Sequence, residues 1–302
     1  MRATTIALFC LIPAVAVAHG AAAQNPAILN GRLDTQAAGT LAPTFQRLVA
    51  AQTEPAWIGY RVPTQTGGNR QSCCYGDTWV NGDVVISNGR LATCGLEPGD
   101  RATRTVQGQP VANQGPIHLE GPDTMVVLYR VENTAVDRVR IFSPDCELDA
   151  GGRAIHWLEG VDPAESVKLL TSLASGADRF RSGAMAALAM HRDEIAVPAL
   201  LSLARQDPNA KVRGDALFWL SQTAGRKVAA DITAAIDNDP DTDVKKRAVF
   251  ALSQLPKDEG VPLLINVAKT NRNPAVRKQA MFWLGQSKDP RALQFFEQVL
   301  GK

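Results

Sequence analysis

The segment Val212-Arg213-Gly214-Asp215-Ala216-Leu217-Phe218-Trp219-Leu220 decides the fold, because related segments occur before and after it at a constant interval. They read FRSGAMAAL at 180–188, VKKRAVFAL at 244–252 and VRKQAMFWL at 276–284, so that neighbouring segments start 32 residues apart. No gap interrupts the alignment of the four copies. A constant interval of this length is typical of an array of small repeating units.

The first, fifth and ninth positions of each segment carry the apolar pattern of a helix. They are Phe180, Val212, Val244 and Val276, then Ala184, Ala216, Ala248 and Ala280, then Leu188, Leu220, Leu252 and Leu284. Positions four apart lie on one face of an α-helix. The alanines let a neighbouring helix approach closely, while the larger side chains supply apolar contact. We therefore predict one helix with a buried face in each unit.

A second helix is predicted in the later half of each unit. Its apolar positions also recur every 32 residues, at Leu200, Ile232, Leu264 and Phe296, and again at Leu203, Ala235, Val267 and Val299. Between units, Asp207-Pro208 and Asp239-Pro240 supply a capping acceptor and a proline suited to a helix start. The predicted solenoid covers 151–302, with units at 178–207, 208–239, 240–271 and 272–302. A degenerate capping unit is predicted at 155–177.

The pattern Val-Arg-x-x-Ala-x-x-x-Leu followed by an apolar second helix resembles the short HEAT repeats of the bilin-lyase type, a subclass of HEAT-like α-solenoid. The resemblance covers residues from about 155 to 300. It implies a superhelix of two-helix repeats. Proteins with such repeats serve mostly as binding scaffolds, and the lyases that share them act on tetrapyrrole chromophores.

The first 23 residues have the layout of a secretory signal peptide. Arg2 precedes an apolar run from Ile6 to Val17, and small residues lead to Ala21-Ala22-Ala23. The run is shorter than the roughly 20 residues that a helix needs to span a bilayer. We therefore predict cleavage after Ala23, no membrane span in the mature chain, and export to the periplasm or beyond. Residues 24–54 are interpreted as a leader into the first domain.

Residues 55–150 are predicted to form a small β-rich domain. Short β-type runs are separated there by Gly, Asn, Asp and Pro, and they cover 57–62, 79–87, 117–120, 125–132 and 136–142. The last two alternate in polarity and predict a hairpin from Met125 to Phe142. The predicted fold class is therefore α+β multidomain, with a small disulfide-linked β-rich domain before an all-α solenoid.

Four cysteines remain after the signal segment, which removes Cys10: they are Cys73, Cys74, Cys94 and Cys146. An even number in an exported chain predicts two disulfides, which supplement the small core of a domain of under about 100 residues. Adjacent cysteines rarely bond to each other, so Cys73 and Cys74 are expected to take Cys94 and Cys146 in one order or the other. A zinc site or redox pair is the alternative, but no Cys-x-x-Cys spacing occurs.

A series of aromatic and amide side chains lies off the buried face of the first helices. We call it the Phe-Gln stripe, and it consists of Phe218, Phe250, Phe282, Gln222, Gln254 and Gln286. In one interpretation, each Phe packs sideways on the adjacent unit and each Gln bonds an inter-unit loop. In the other, the stripe is a candidate surface for binding a partner, since aromatic anchors are frequent at interfaces.

A second series on the first helices is basic, and its members are Arg181, Arg213, Lys245 and Arg277. Cations at such positions are suited to pair with an Asp of a neighbouring unit and with the last carbonyls of a helix. We predict that this series fixes the spacing of the units.

The whole sequence favours a protein that binds over one that catalyses. The net charge of +2 is too nearly balanced to predict a basic surface for nucleic acid. The common motifs of catalytic, cofactor and metal sites do not occur in the sequence, so none of these sites is predicted. We predict a non-enzymatic scaffold or adaptor for a protein partner in the bacterial periplasm or cell envelope. The alternative is an enzyme or enzyme subunit with a bilin-lyase-like ligand site near Cys146, His156 and Trp157. In a third hypothesis the β domain recognises the partner and the solenoid is a spacer.

Overall fold

The computed structural model describes residues 25–65, 94–97, 123–144 and 146–301. A sheet region comes first along the chain, and a succession of paired helices follows it. Its strands are β1 (Ala27–Leu29), β2 (Arg32–Ala37), β3 (Ala56–Pro63), β4 (Cys94–Gly95), β5 (Thr124–Glu132), β6 (Ala135–Phe142), β7 (Glu147–Asp149) and β8 (Ala154–Glu159). The helix α1 (Leu41–Ala51) lies between β2 and β3.

The larger sheet has five strands in the order β2-β8-β3-β5-β6. The predicted hairpin is present as β5 and β6, and Asn133 and Thr134 make its turn with positive φ angles of 50° and 57°. Positive φ at both turn residues matches the twist of the two strands. The predicted strand at 57–62 is also present, as β3. The predicted strands at 79–87 and 117–120 lie outside the described residues.

The interpretation of residues 24–54 as a leader is wrong for the residues that the structure describes there. β2 pairs in parallel with β8, and Asp34 stands opposite His156. β1 joins a smaller sheet in the order β1-β7-β4. Both partners lie more than 100 residues away in the sequence, and β2 reads Arg-Leu-Asp-Thr-Gln-Ala, which has little apolar character. No local signal therefore marks these strands.

The boundary predicted at residue 151 also differs from the structure. β8 occupies the place where the degenerate unit at 155–177 would carry its first helix, and it belongs to the five-stranded sheet. Only the second helix of that unit is present, as α2 (Pro163–Ala174). The capping element of the solenoid is therefore one helix packed beside a sheet.

Four complete helix pairs follow α2, and they correspond to the four predicted units. Their helices are α3 (Asp178–Ala189), α4 (Asp193–Gln206), α5 (Ala210–Thr223), α6 (Ala229–Asn238), α7 (Thr242–Ser253), α8 (Lys257–Thr270), α9 (Pro274–Gln286) and α10 (Pro290–Leu300). A short 3₁₀ turn, Gly225–Val228, precedes α6. Asn209, Asp241, Asn273 and Asp289 cap the starts of four of these helices through their side chains.

One apolar core runs from the sheet into the repeats. It joins Tyr129 and Leu158 of the sheet to the alanines and leucines of the first helices, such as Ala216 and Leu252, which are buried. A second cluster covers the other face of the sheet around Trp57, Trp157 and Phe142. Among the described residues, no helix combines the length and the apolar character that crossing a membrane requires.

Candidate interaction surface and the junction behind it

The rings of the Phe-Gln stripe form a continuous series across three units. Phe218 on α5 stacks on Phe250 on α7 with ring centroids 5.6 Å apart and planes 3° from parallel. Phe250 lies 4.8 Å from Trp283 on α9, and Trp283 meets Phe282 edge to face at 5.0 Å. Such arrangements suit the quadrupoles of aromatic rings. Two of the three Phe therefore contact an aromatic ring of the following unit.

Phe282 is the most exposed of the three rings of the stripe. Phe218 and Phe250 are half-buried, whereas Phe282 is 53% exposed. Gln222, Gln254 and Gln286 are all exposed. The Gln254 amide donates to the Ser253 hydroxyl of its own turn at 3.1 Å and not to an inter-unit loop. Phe218 and Phe250 therefore pack sideways on the following unit, whereas Phe282 and the three Gln side chains face outward.

The basic series bonds the carboxyl ends of the second helices, as its sequence predicts. Arg213 donates to the Asp207 carbonyl at 2.9 Å and holds the Asp239 carboxylate at 2.8 and 3.0 Å. Lys245 donates to the Asp237 carbonyl at 2.7 Å, and Arg277 to the Asn271 carbonyl at 2.8 Å. In the first unit, Arg181 donates to the carbonyls of Ala174 and Gly176. This series spaces the units and is not a free basic surface.

A buried chain of hydrogen bonds joins the sheet to the solenoid. His191 Nδ1 lies 2.8 Å from the Ala187 carbonyl oxygen, which can only accept, so Nδ1 carries the proton. His191 Nε2 therefore accepts from the Ser166 hydroxyl at 3.0 Å. Ser166 in turn accepts from Tyr60 at 2.7 Å, and Tyr60 accepts from Tyr129 at 2.5 Å. Each hydroxyl in this chain donates a hydrogen bond to the next side chain, in the direction from Tyr129 to His191.

Burial sets the ionisation of this chain. Burial raises the pKa of Tyr60 to about 12 and raises that of Tyr129 well above its ordinary value. Burial also lowers the pKa of His191, which is fully enclosed. The four side chains are therefore neutral near pH 7. Tyr60, Ser166 and His191 lie far apart in the sequence, so no spacing motif indicated that they meet.

An ion cluster fixes the segment 94–97 against the sheet. Glu97 accepts from the Trp57 indole at 2.9 Å and from Arg130 at 3.0 Å. Arg130 also holds Glu132 at 2.7 Å. Arg130 is thus shared between the two carboxylates. It is more consistent with a structural role than with a binding site.

The candidate cysteines are only partly within the described residues. Cys94 and Cys146 are buried in the second core cluster, and both are in disulfide linkage. Cys73 and Cys74 lie outside the described residues, so the connectivity stays a prediction. Two disulfide-linked cysteines at this core are in keeping with a structural role.

The alternative ligand site near Cys146, His156 and Trp157 is not assembled as one cluster. Neighbouring residues on a strand point to opposite faces of a sheet. Trp157 accordingly lies in the second cluster with Cys146, while His156 stands on the opposite face, 4.0 Å from Asp34. Burial lowers the pKa of His156. Among the described residues, no group of three or more His, Cys, Asp or Glu side chains could hold a metal ion.

A stack of two-helix units with a repeated buried face defines the class of an α-solenoid. The family model for HEAT repeats matches residues 143–221 and 229–302, which is just over half of the chain. The protein therefore belongs to the HEAT-repeat family. No curated protein matches the chain.

Several solved structures are similar to parts of the chain. The complex of CpcE and CpcF of phycocyanin lyase from Nostoc sp. PCC7120 is 16% identical with a TM-score of 0.36, and the match covers 45% of this chain and 89% of that chain. Human deoxyhypusine hydroxylase in complex with glycerol is 21% identical with a TM-score of 0.33, over 40% and 43%. The Escherichia coli protein YibA is 23% identical with a TM-score of 0.32, over 45% and 53%.

Proposed function

We propose that this protein is a non-enzymatic scaffold or adaptor that holds a protein partner on its HEAT-repeat solenoid. The observation that carries the proposal is the Phe-Gln stripe, which exposes Gln222, Gln254 and Gln286 along its length and ends in Phe282 at 53% exposure. Phe282 continues a row of aromatic rings, and aromatic anchors are frequent at protein interfaces.

The surroundings of the stripe suit this role. Phe218 and Phe250 are held against aromatic neighbours of the following unit, so the surface is preorganised and loses little side-chain entropy on binding. Each exposed glutamine offers two donors and one acceptor. A row of such groups beside apolar rings is suited to a partner segment that presents both main-chain polar groups and apolar side chains.

We also propose that the scaffold is exported and works in the periplasm or cell envelope of a bacterium. The signal-like segment 1–23 supports export, and so do the four later cysteines, because disulfides persist in oxidising compartments. Intact-mass analysis of the protein recovered from the periplasm tests this proposal. The expected product begins at Gln24 and exposes four thiols to alkylation only after reduction.

Affinity capture with matched variants tests the binding function. The test variant combines Phe282→Ser with Gln222→Ala, and the control is Leu293→Ser on α10, which removes a side chain of 61% exposure outside the stripe. We expect wild type and control to retain one stoichiometric partner from envelope extract, and the test variant to lose at least about tenfold in affinity, as is usual for an aromatic hot spot. Equal retention by test variant and control contradicts the stripe as the binding surface.

A further inference from the structure

The last repeat unit, formed by α9 and α10, holds most of the exposed large apolar side chains in the described part of the chain. Of four such side chains, three lie on these helices, namely Phe282, Leu293 and Val299. Leu293 and Val299 flank the half-buried Phe296 on one side of α10, within an arc of about 120° at about 100° per residue. Clustered apolar side chains, unlike scattered ones, indicate a contact surface.

The equivalent side chains of the preceding unit are buried. Val261 and Val267 on α8 are 3% and 4% exposed. Leu293 and Val299 stand 32 residues later, at the same two positions of α10, and they are 61% and 44% exposed. The last unit thus leaves open two positions that the preceding unit buries.

The side of α10 that carries these residues corresponds to a contact between units. Each earlier second helix packs on the first helix of the unit that follows it, as α4 does on α5, α6 on α7 and α8 on α9. Among the described residues, no helix follows α10. Its outward side keeps the apolar character of an inter-unit contact, although the terminal units of solenoids usually have a polar outer side.

We call this side of the last unit the open face, and it consists of Met281, Leu293, Phe296 and Val299. Met281 belongs to it because it is only half-buried, whereas its equivalent on α7, Val249, is fully buried. The open face therefore combines both helices of the last unit.

A second copy of this chain offers one counterpart for the open face. Its α5, α7 and α9 already cover the second helices before them, and its α3 packs on both α2 and β6. The start of its solenoid is therefore closed by the sheet, which excludes a head-to-tail continuation of the array through the described elements. Among those elements, the repeat face that the copy leaves uncovered is its own open face. Contact between two identical faces is the geometry of a two-fold dimer.

The charges of the two helices favour one arrangement of such a dimer. α9 carries Arg277 and Lys278 and no acidic residue. α10 carries the exposed Glu297, and its Arg291 is held by Asp289. Pairing α9 with α9 would bring like charges together, whereas pairing α10 of one copy with α9 of the other brings opposite charges together. The second arrangement also repeats the contact of a second helix on a first helix that joins the units.

We propose that the open face binds the open face of a second copy, with α10 of each copy on α9 of the other, so that two copies close into a two-fold dimer. α9 and α10 have 13 and 11 residues. At about 1.5 Å per residue and about 10 Å between axes, they offer a face of roughly 400 Å². A contact of this size is smaller than standard stable interfaces, so we expect a Kd in the micromolar range. The inference goes beyond the proposed scaffold function and does not depend on it.

Sedimentation equilibrium of the full protein, at concentrations from about 1 to about 200 µM around the expected Kd, tests the proposal. We expect the mean mass to rise from one chain toward two and not beyond, because a two-fold contact is closed. Leu293→Glu combined with Val299→Glu places four carboxylates at the contact. This variant should raise the Kd at least about tenfold, since like charges at an interface are costly.

Gln294→Glu combined with Gln298→Glu is the matched control, since it adds the same charge to the same helix on the side away from the open face. The equivalent residues of the earlier units are all exposed, and they are Pro198, Ala230 and Pro262 for Gln294 and Ser202, Ala234 and Asn266 for Gln298. The control should dimerise as the wild type does. Equal losses in the two variants, a wild type that stays monomeric, or species larger than two copies would overturn the proposal.

Hydrogen exchange of the wild-type protein tests the location of the contact without a variant. As the concentration rises, amide exchange should become slower in α9 and α10 and stay unchanged in α5 and α6. Slower exchange confined to other elements would overturn the assignment to the open face. Phe282 is unaltered in every variant and no partner is present, so loss of the dimer is measured separately from the partner capture that tests the proposed function.

Discussion

The contact between successive repeat units and the contact between the sheet and the first units hold the molecule together in different ways. Between units, the same kind of contact recurs, because the basic residue of each first helix donates to a carbonyl at the end of the preceding second helix, as Arg213 does to Asp207 and Arg277 to Asn271. Between the sheet and the solenoid, α3 packs directly on β6, Arg179 donates to the Val136 carbonyl, and a buried chain of hydrogen bonds leads from Tyr129 to His191.

The contacts between repeat units distribute stability over several similar interfaces, whereas the junction concentrates it in one interface. In a repeat array, each interface contributes a similar term and the loss of one side chain affects one step. The junction has no second copy of its contacts. Substitutions at the junction should therefore be more damaging than chemically similar substitutions between the units.

Gly183→Val should give the largest effect on this comparison. A β-carbon at Gly183 would overlap the main-chain carbonyl of Val139, so α3 could no longer pack at its present distance from β6. We expect a loss of about 3 kcal/mol or more in the free energy of unfolding, at the upper end of overpacking effects. Urea denaturation followed by circular dichroism measures it.

Gly285→Ala is the matched control, since a β-carbon there meets no other atom within 4 Å. Alanine favours a helix over glycine by up to about 1 kcal/mol, so this variant should keep or slightly raise stability. Equal destabilisation by the two variants would contradict the view that the junction depends on this close approach.

The contacts between repeat units could be predicted from the sequence, because the repeat period places equivalent side chains on equivalent faces of the helices. The interval between Val212 and Val244 fixes the unit, and helical periodicity then gives the buried alanines and leucines. The bonds of Arg213 follow from the same period. Local pattern and tertiary contact agree here, since each unit contacts only its neighbours.

The contacts at the junction could not be predicted from the sequence in this way. β2 and β8 pair across more than 100 residues, and β2 is polar enough to resemble a leader. The members of the buried hydrogen-bond chain from Tyr129 to His191 also lie far apart in the sequence, and hydrophobic periodicity does not indicate which polar side chains meet.

Phe250→Ser tests the repeat side of the comparison. The Phe250 ring is half-buried between Phe218 and Trp283, so its removal should cost about 2.5 kcal/mol, roughly half to two thirds of the usual penalty for a core phenylalanine. Phe282→Ser should stay within about 0.5 kcal/mol, as is usual at exposed sites. Thermal unfolding of both variants measures the difference.

The outcome also separates the two interpretations of the stripe. A large loss for Phe250→Ser assigns this ring to packing and leaves Phe282 with the glutamines as the binding part. A loss as large for Phe282→Ser would assign the whole series to packing and would remove the observation on which the proposed function rests.

Ser166→Ala tests the hydrogen-bond chain of the junction. The variant leaves the Tyr60 hydroxyl without its acceptor and His191 Nε2 without its donor, both in a buried setting. We expect a loss of about 2 kcal/mol, within the range for buried groups left unsatisfied. Ser253→Ala is the control, because that hydroxyl donates to the Phe250 carbonyl of its own helix. A loss no larger than that of the control would assign the junction to packing alone.

A change of pH should have a smaller effect on stability, and it tests the contribution of His191 to the junction. Burial lowers the pKa of His191 in the folded protein, and its Nε2 must stay unprotonated to accept from Ser166. The unfolded state, with an ordinary pKa of about 6.5, therefore takes up a proton first as the pH falls. The stabilisation is present above about pH 6.5 and decreases below it, toward the lower pKa of the folded state.

The proton uptake of His191 alone should lower the free energy of unfolding by at most about 1.4 kcal/mol between pH 7.5 and pH 5.5. The burial of His156 gives a shift in the same direction, so the decrease must be compared in the variants His156→Gln and His191→Gln. We expect most of the pH dependence to persist in His156→Gln and to disappear in His191→Gln, because His191 is the more completely enclosed of the two. If the free energy of unfolding of His191→Gln decreases as much as that of the wild type, the hydrogen-bond chain from Tyr129 to His191 does not depend on a neutral imidazole. The junction would then be stabilised by packing, as the contacts between repeat units are.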